Sequence, residues 1–287
     1  MFDQRATSGT EPRQGFSDWP ARVARRTPLA VGVAPSERWL SEWGLPNDLR
    51  GAAEFCERLL DVVGQVAAVK VQTPHFERFG PDGLALMATF FAGCAQRGTL
   101  TIADAKRCDT EDTMESYASL YLGEESVLGA DAVTVAPFLG LDATLPLFDL
   151  ARRRRCAVFV LVRTSNHEAR NQLARDGQGR TVSELIADGI AAHNLKSAQN
   201  GGLGPAAAVV GAPSHAMAAL LRRMPHTLVS LPGLGRPGRT TDEFRATIGR
   251  EGSRVVLPIT SGVLGAGPRG LAERIRHWQH ALQSLPV

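Results

Sequence analysis

Eight short apolar runs, each followed by a helix-like run, predict a single-domain (β/α)8 barrel, the TIM-barrel architecture, for this chain. The runs read as buried strands, the alternation is unbroken, and its eight units are near-equal within 287 residues. An open doubly wound sheet is the main rival, but it has no need of eight such units.

Residues 1–14 are polar and rich in Thr, Gly, Pro and Arg, the composition of a loose tail, which leaves 15–287 for the barrel. Phe16–Arg26 is expected as a short helix covering the base. Leu29–Val33 is the first strand, ending at Ala34-Pro35. Asp48 caps a helix running to Val62, with Ala52, Phe55, Cys56, Leu59 and Leu60 on one face. Val66–Val71 is the second strand and carries Lys70 near its end. Leu84–Ala95 is helical and Gly98 closes it. Leu100–Ala103 is the third strand and Thr113–Leu122 the helix after it. Further strands are expected at 132–136, 157–162, 206–210, 227–231 and 255–259. Helices at 145–154, 182–194, 214–223, 242–249 and 271–285 follow them, and a long excursion, 164–180, precedes the second of these.

Composition narrows the function classes. Hydrophobic residues at 44% and charged residues at 21% are ordinary for a soluble globular protein. A net charge of +3 is too small to argue for nucleic acid or a membrane as partner. No run approaches the roughly 18 apolar residues of a membrane span, and the first residues lack the apolar core of a signal peptide. Cys56, Cys94, Cys108 and Cys156 form no Cys-x-x-Cys pair, which fits reduced thiols in a cytoplasmic protein. The histidines show no i,i+4 ligand pair and are expected mostly at the surface. Arg152–Arg155 reads as a solvated helix end.

The chemistry concentrates after the third strand, in Asp104-Ala105-Lys106-Arg107-Cys108-Asp109. Residues two apart on a strand share a face, so Asp104 and Lys106 can enter one cavity. Of 32 basic residues only Lys70, Lys106 and Lys196 are lysines. Arginine stays protonated, whereas a lysine can give up a proton, so a lysine retained in so arginine-rich a chain points to proton transfer. Lys70 and Lys106 both fall at strand C-terminal ends, where barrels place their chemistry; Lys196 falls in a polar loop. With Asp104 and Asp109 the two lysines would make an array of two cations and two anions, with the carboxylates holding a lysine protonated and raising its pKa. A substrate carboxylate set against Asp104 would be repelled, its loss as CO2 would relieve the repulsion, and Lys106 would protonate the carbanion. A structural salt-bridge network is the plain alternative. Cys108 is expected simply to pack, and Glu111 and Asp112 to serve the next helix N-terminus.

Gly233-Leu234-Gly235-Arg236-Pro237-Gly238 matches G-x-G-x-x-G, but no acid closes the following strand and too little chain remains for a second Rossmann half. After a seventh barrel strand the loop reads better as a phosphate site, with Arg236 and Arg239 adding charge, or else as a glycine-rich turn.

These residues resemble a known family. Asp104-Ala105-Lys106-Arg107-x-Asp109 followed by Thr113 is similar to the D-x-K-R-x-D-x-x-x-T signature of orotidine 5′-phosphate decarboxylases, in their longer bacterial form. Val69-Lys70-Val71-Gln72, Phe76-Glu77-Arg78-Phe79-Gly80, Thr134–Gly140, Thr164-Ser165-Asn166 and Pro232-Gly233-Leu234-Gly235 fall in family order. The resemblance implies a (β/α)8 barrel, a homodimer with shared active sites, a pyrimidine nucleotide substrate, and no cofactor or metal. Carried over, Lys106 would be the proton donor, Asp104 the stressing carboxylate, and Lys70 the residue holding the array. Asp109 and Thr113 would reach into a second subunit's site, and Ser165, beside Asn166, would read the pyrimidine.

Three positions depart from the family pattern. Ala34 stands where the first strand ends in Asp, Pro237 where the phosphate loop has Gln, and Ser261 runs directly into Gly262 where an Arg is usual. Cys108 also replaces a Gly. The altered rim leaves open a paralogue acting on a modified or non-phosphorylated substrate. A Schiff-base lyase using Lys70 or Lys106, and an inactive nucleotide-binding barrel, are the other classes.

Overall fold

The computed structural model describes residues 15–123, 125–166, 168–198, 202–211, 214–236, 238–283 and 285. The tail expected over 1–14 lies outside them. Among the described residues, eight parallel strands close into a barrel in chain order. They are β1 (Leu29–Val33), β2 (Ala68–Val71), β3 (Leu100–Arg107), β4 (Ala132–Val135), β5 (Ala157–Arg163), β6 (Ala206–Val210), β7 (Val229–Ser230) and β8 (Val255–Ile259). β1 pairs with both β2 and β8, which closes the ring. The helices are α1 (Trp19–Arg26), α2 (Glu37–Glu42), α3 (Leu49–Val63), α4 (Pro74–Glu77), α5 (Gly80–Gln96), α6 (Glu111–Tyr121), α7 (Leu145–Arg154), α8 (Val182–Ala198), α9 (Ser214–Arg223), α10 (Thr241–Ile248), α11 (Ser261–Leu264) and α12 (Gly267–Leu282).

Strand alternation divides the core into two clusters. Outward residues such as Val31, Val69, Ala103 and Val133 pack under the helices. Inward residues, among them Ala30, Ala68, Ile102, Phe159, Val209 and Val256, fill the barrel. The base is plugged by Phe16, Trp19 and Val23. Trp19 Nε1 donates to the Val255 carbonyl at 2.8 Å, so the segment expected across the base is tied to β8. At the start of α3, Asp48 accepts from the Gly51 amide at 2.9 Å, the cap read from sequence.

The structure corrects several boundaries. β2 begins two residues late, because the Gln65 and Val66 amides bond back to the Val62 and Val63 carbonyls at the end of α3. β7 is shorter than expected: the Arg254 guanidinium takes the Thr227 carbonyl at 3.0 Å, drawing Thr227 out of the strand. α8 runs on past Asn194 to Ala198 and contains Lys196, since no Gly or Pro stands between Asn194 and Ala198, so this lysine is not in a loop. The arginine run at the end of α7 is paired rather than merely solvated, with Arg154 on Glu125 at 2.9 Å and Arg155 on Asp18 at 2.7 Å. Helices α2, α4 and α11 are too short to leave a periodic trace in the sequence.

Candidate active site

A cavity of about 510 Å³ opens at the C-terminal ends of the strands. Of the residues singled out in sequence, Lys70, Asp104, Lys106, Ser165, Asn166, Gly233, Gly235, Arg236 and Ser261 line it. Asp109, Thr113, Gly238, Arg239 and Gly262 do not. Arg239 is held by Glu243 at 2.6 Å instead. Asp109 sits past the end of β3, where its carboxylate accepts from the Thr110 amide at 2.8 Å. Thr113 lies in the first turns of α6.

The centre is therefore two cations on one anion, not the four-membered array expected within one chain. Asp104 Oδ2 meets Lys70 Nζ at 2.6 Å and Lys106 Nζ at 2.7 Å. The Asp104 side chain is 4% exposed, Lys70 13% and Lys106 50%, so charge is packed below a donor that reaches solvent. Burial alone would raise the Asp104 pKa; the two ammonium charges and their hydrogen bonds overcome it and hold the carboxyl below its usual range. Lys70 goes the other way from the sequence expectation. Burial lowers its pKa more than Asp104 raises it, and Lys106 adds a like charge.

β3 does not deliver Lys106 as a regular strand. Its pairing with β4 shifts register between Ala103 and Arg107, and Lys106 has a left-handed backbone at φ 48°. A non-glycine residue in that region costs on the order of 1–3 kcal/mol, so the surroundings must enforce it. Thr134, on the inner face of β4, supplies part of that constraint. Its hydroxyl accepts from the Lys106 amide at 2.9 Å and donates to Asp104 Oδ1 at 3.0 Å. One side chain thus fixes both the backbone of Lys106 and the second oxygen of Asp104.

The rim is built by the segments after β1, β2, β5, β7 and β8. Ser36, Arg38 and Trp39 come from the start of α2, and His75 from α4. His75 lines the cavity rather than the outer surface, and burial together with the nearby Arg78 lowers its pKa. Arg163, the inward residue at the end of β5, has no ion-pair partner among the described residues, and neither does Arg236. Ala34 and Ser261 line the cavity at two of the three departures from the family pattern; Pro237 lies outside the described residues. Sequence reasoning missed Arg38, His75, Thr134 and Arg163 as parts of the site. Thr134 and Arg163 were legible in principle, since each stands at an inward position in its strand.

Among the described residues the lining holds five cations, Arg38, Lys70, Lys106, Arg163 and Arg236, against the carboxylate of Asp104, and of these Arg38 is also paired with Glu42 at 2.8 Å. Such a site suits a ligand with more than one negative charge. Cys108 is half-buried and the other three cysteines are buried, and all four are thiols outside any disulfide.

Comparison with known proteins agrees with this geometry. A family model described as orotidine 5′-phosphate decarboxylase / HUMPS family matches residues 45–272. An orotidine 5′-phosphate decarboxylase of Myxococcus xanthus is 39% identical over 272 residues, covering 92% of this chain and 93% of its own. That of Salinispora tropica is 38% identical, covering 88% of this chain and 92% of its own. A crystal structure from Streptomyces avermitilis, provisionally assigned the same activity, superposes with a TM-score of 0.86 at 31% identity and 97% coverage of both chains.

Proposed function

The chain belongs to the orotidine 5′-phosphate decarboxylase / HUMPS family, and from that premise we propose that it is a carboxy-lyase converting orotidine 5′-phosphate to uridine 5′-phosphate and CO2, a step of pyrimidine biosynthesis. The observation that carries this reading is the Lys70–Asp104–Lys106 array at the mouth of β2 and β3. Asp104, held ionised, stands where the substrate carboxylate must enter, and repels it. Breaking the C6–carboxylate bond releases CO2 and leaves the electron pair on C6. Lys106 Nζ donates a proton to that carbon and regains one from water, which its half-exposed side chain permits. Lys70 keeps Asp104 anchored throughout.

The excess of cations supports a phosphorylated substrate over a bare nucleoside. Carboxylate and phosphate together answer Arg163 and Arg236 as well as the lysines. Arg236 rather than Arg239 is the phosphate-loop arginine facing the cavity, since Arg239 is engaged by Glu243. The loop offers amides alongside it: Gly233, Gly235 and Gly238 have φ of 128°, 81° and 77°, which a side chain there would oppose. Ser165 and Asn166 would contact the pyrimidine.

The reading includes a homodimer in the cytoplasm. Phe138 and Leu139, after β4, are 81% and 53% exposed near the same barrel end, and a second copy would cover them. Asp109 and Thr113 would then serve that copy's cavity. Cysteines outside any disulfide suit a reducing compartment.

Measuring CO2 release from orotidine 5′-phosphate and from orotidine side by side tests the assignment. Turnover of the phosphate ester in preference is expected; preference for the nucleoside would replace it with the non-phosphorylated reading. For the dimer, mixing Lys106→Ala with Asp109→Ala protein should restore about a quarter of wild-type activity, because each mixed pair carries one intact site. No restoration after subunit exchange would remove the shared site.

A further inference from the structure

Immediately beyond Lys106, the side chain of Arg107 turns out of the barrel into a polar cluster with no part in the chemistry above. Its guanidinium forms an ion pair with Glu77 of α4, and Nη2 and Nε bond the Tyr121 hydroxyl of α6 at 2.8 and 3.2 Å. Tyr121 in turn donates to Glu77 Oε1 at 3.3 Å, and the guanidinium lies over the Tyr117 ring at 5.4 Å. Arg107 and Glu77 are only 27% and 26% exposed, and Tyr121 is fully buried. The cluster therefore joins the short helix after β2, the end of β3 and the helix after β3. It ties the strand carrying Lys70 to the strand carrying Lys106. The Arg107 carbonyl is held as well, accepting from the Ala136 amide at 2.8 Å.

Lys106 needs such a neighbour. Its left-handed backbone is unfavourable, and on the barrel side its amide is held by Thr134. A regular strand would release the twist at the next residue. Arg107 is prevented from following, because its side chain is fixed from three directions.

We propose that Arg107, clamped by Glu77 and Tyr121, is a positioning residue that locks Lys106 in its left-handed conformation and so aims its ammonium beside Asp104. The inference rests on Lys106 being the proton donor, but its geometric half stands apart from that role. Misplacement of a reacting group by about 1 Å costs about 100-fold in rate, so loss of the clamp should lower kcat and leave KM nearly unchanged.

The chain's three lysines make the test direct. Protein labelled with [15N]lysine gives three backbone amide signals, assigned by Lys→Arg substitution. In Arg107→Met the Lys106 amide is expected to shift and to exchange with deuterium about tenfold faster, as befits a weakened hydrogen bond, while the Lys196 amide stays put. kcat for decarboxylation should fall roughly 10- to 100-fold with KM within about threefold. Tyr121→Phe keeps the buried ring and removes only the hydroxyl; it should show the same pattern more weakly, with a melting temperature near wild type. Glu77→Gln combined with Arg107→Met should lower kcat by less than the product of the two single effects. An unmoved Lys106 amide in both Arg107→Met and Tyr121→Phe overturns the proposal, as does a kcat within twofold of wild type in these folded variants, or a loss confined to KM. If wild-type protein releases no CO2, the assigned reaction fails while the amide measurements still decide the clamp.

Discussion

The charged centre at the ends of β2, β3 and β4 and the rim built around the loops after β1, β5, β7 and β8 obey different rules. At the centre every group is over-determined. Asp104 meets two lysines and a threonine, Thr134 both accepts and donates, and the strands beneath are packed by Ile102 and Phe159. At the rim Arg163 and Arg236 have no ion-pair partner among the described residues, and Ser165, Asn166 and Ser261 are exposed. Rigid strands hold the groups that act on the bond being broken; loops hold the groups that grip the rest of the ligand. Among the described departures from the family pattern, Ala34 and Ser261 fall on the second kind of position. Divergence at the grip with retention at the centre is what a change in binding, without a change in reaction, would leave behind.

The comparison breaks most decisively at Lys106. Lys106→Ala should lower decarboxylation about 10²- to 10⁴-fold, the contribution of a placed proton donor, with the fold intact by circular dichroism. A comparable loss from Arg236→Ala in kcat rather than KM would erase the distinction between centre and rim. Next comes Asp104→Asn. It leaves Lys70 buried beside Lys106 without its counter-charge, and removing one partner of a buried pair costs about 3–5 kcal/mol, readable by urea titration. Arg236→Ala should raise KM for orotidine 5′-phosphate roughly 10-fold or more, the loss of a hydrogen bond to a charged group, while Arg239→Ala changes it little.

The pH dependence is smaller and has a definite sign. The Asp104 carboxyl is held below its unfolded range, so it adds stability that is fully present above the ordinary carboxylate pKa, about 4, and lost as pH falls through the depressed folded value. Lys70, lowered by burial, makes stability rise with pH on the alkaline side, between its folded pKa and the ordinary lysine value. Thermal melts of wild type and Asp104→Asn from pH 7 down to about 3 should converge as the carboxyl is protonated. Parallel curves would show that Asp104 is not the residue titrating.

The barrel was legible because buried strands and amphipathic helices repeat eight times, and repetition survives errors of two residues at any boundary. Asp104 and Lys106 were legible because charges at the end of an apolar run are conspicuous. What stayed hidden has a common cause. Thr134 is an unremarkable residue inside a strand until β3 and β4 are laid side by side. His75 and Arg38 sit on helices too short to show a period. The left-handed turn at Lys106 leaves no mark in the sequence, since neither neighbour is Gly or Asn. Asp109 was placed in the same cavity as Lys106 by proximity along the chain, yet β3 ends at Arg107 and the chain bends away. Only the family resemblance offered a reason for that, by assigning it to a second copy.

The plug at the base has a consequence for how the molecule is made. Trp19 closes the barrel floor by donating to Val255, 236 residues further along the chain. While the protein is being synthesised, that acceptor does not exist until 236 further residues have been added. α1 must therefore wait, with Trp19 and Phe16 unburied, for β8 to arrive. The segment at the start of the chain is sealed in at the end of folding, and a chain cut short before β8 would be left with an open floor and an exposed tryptophan.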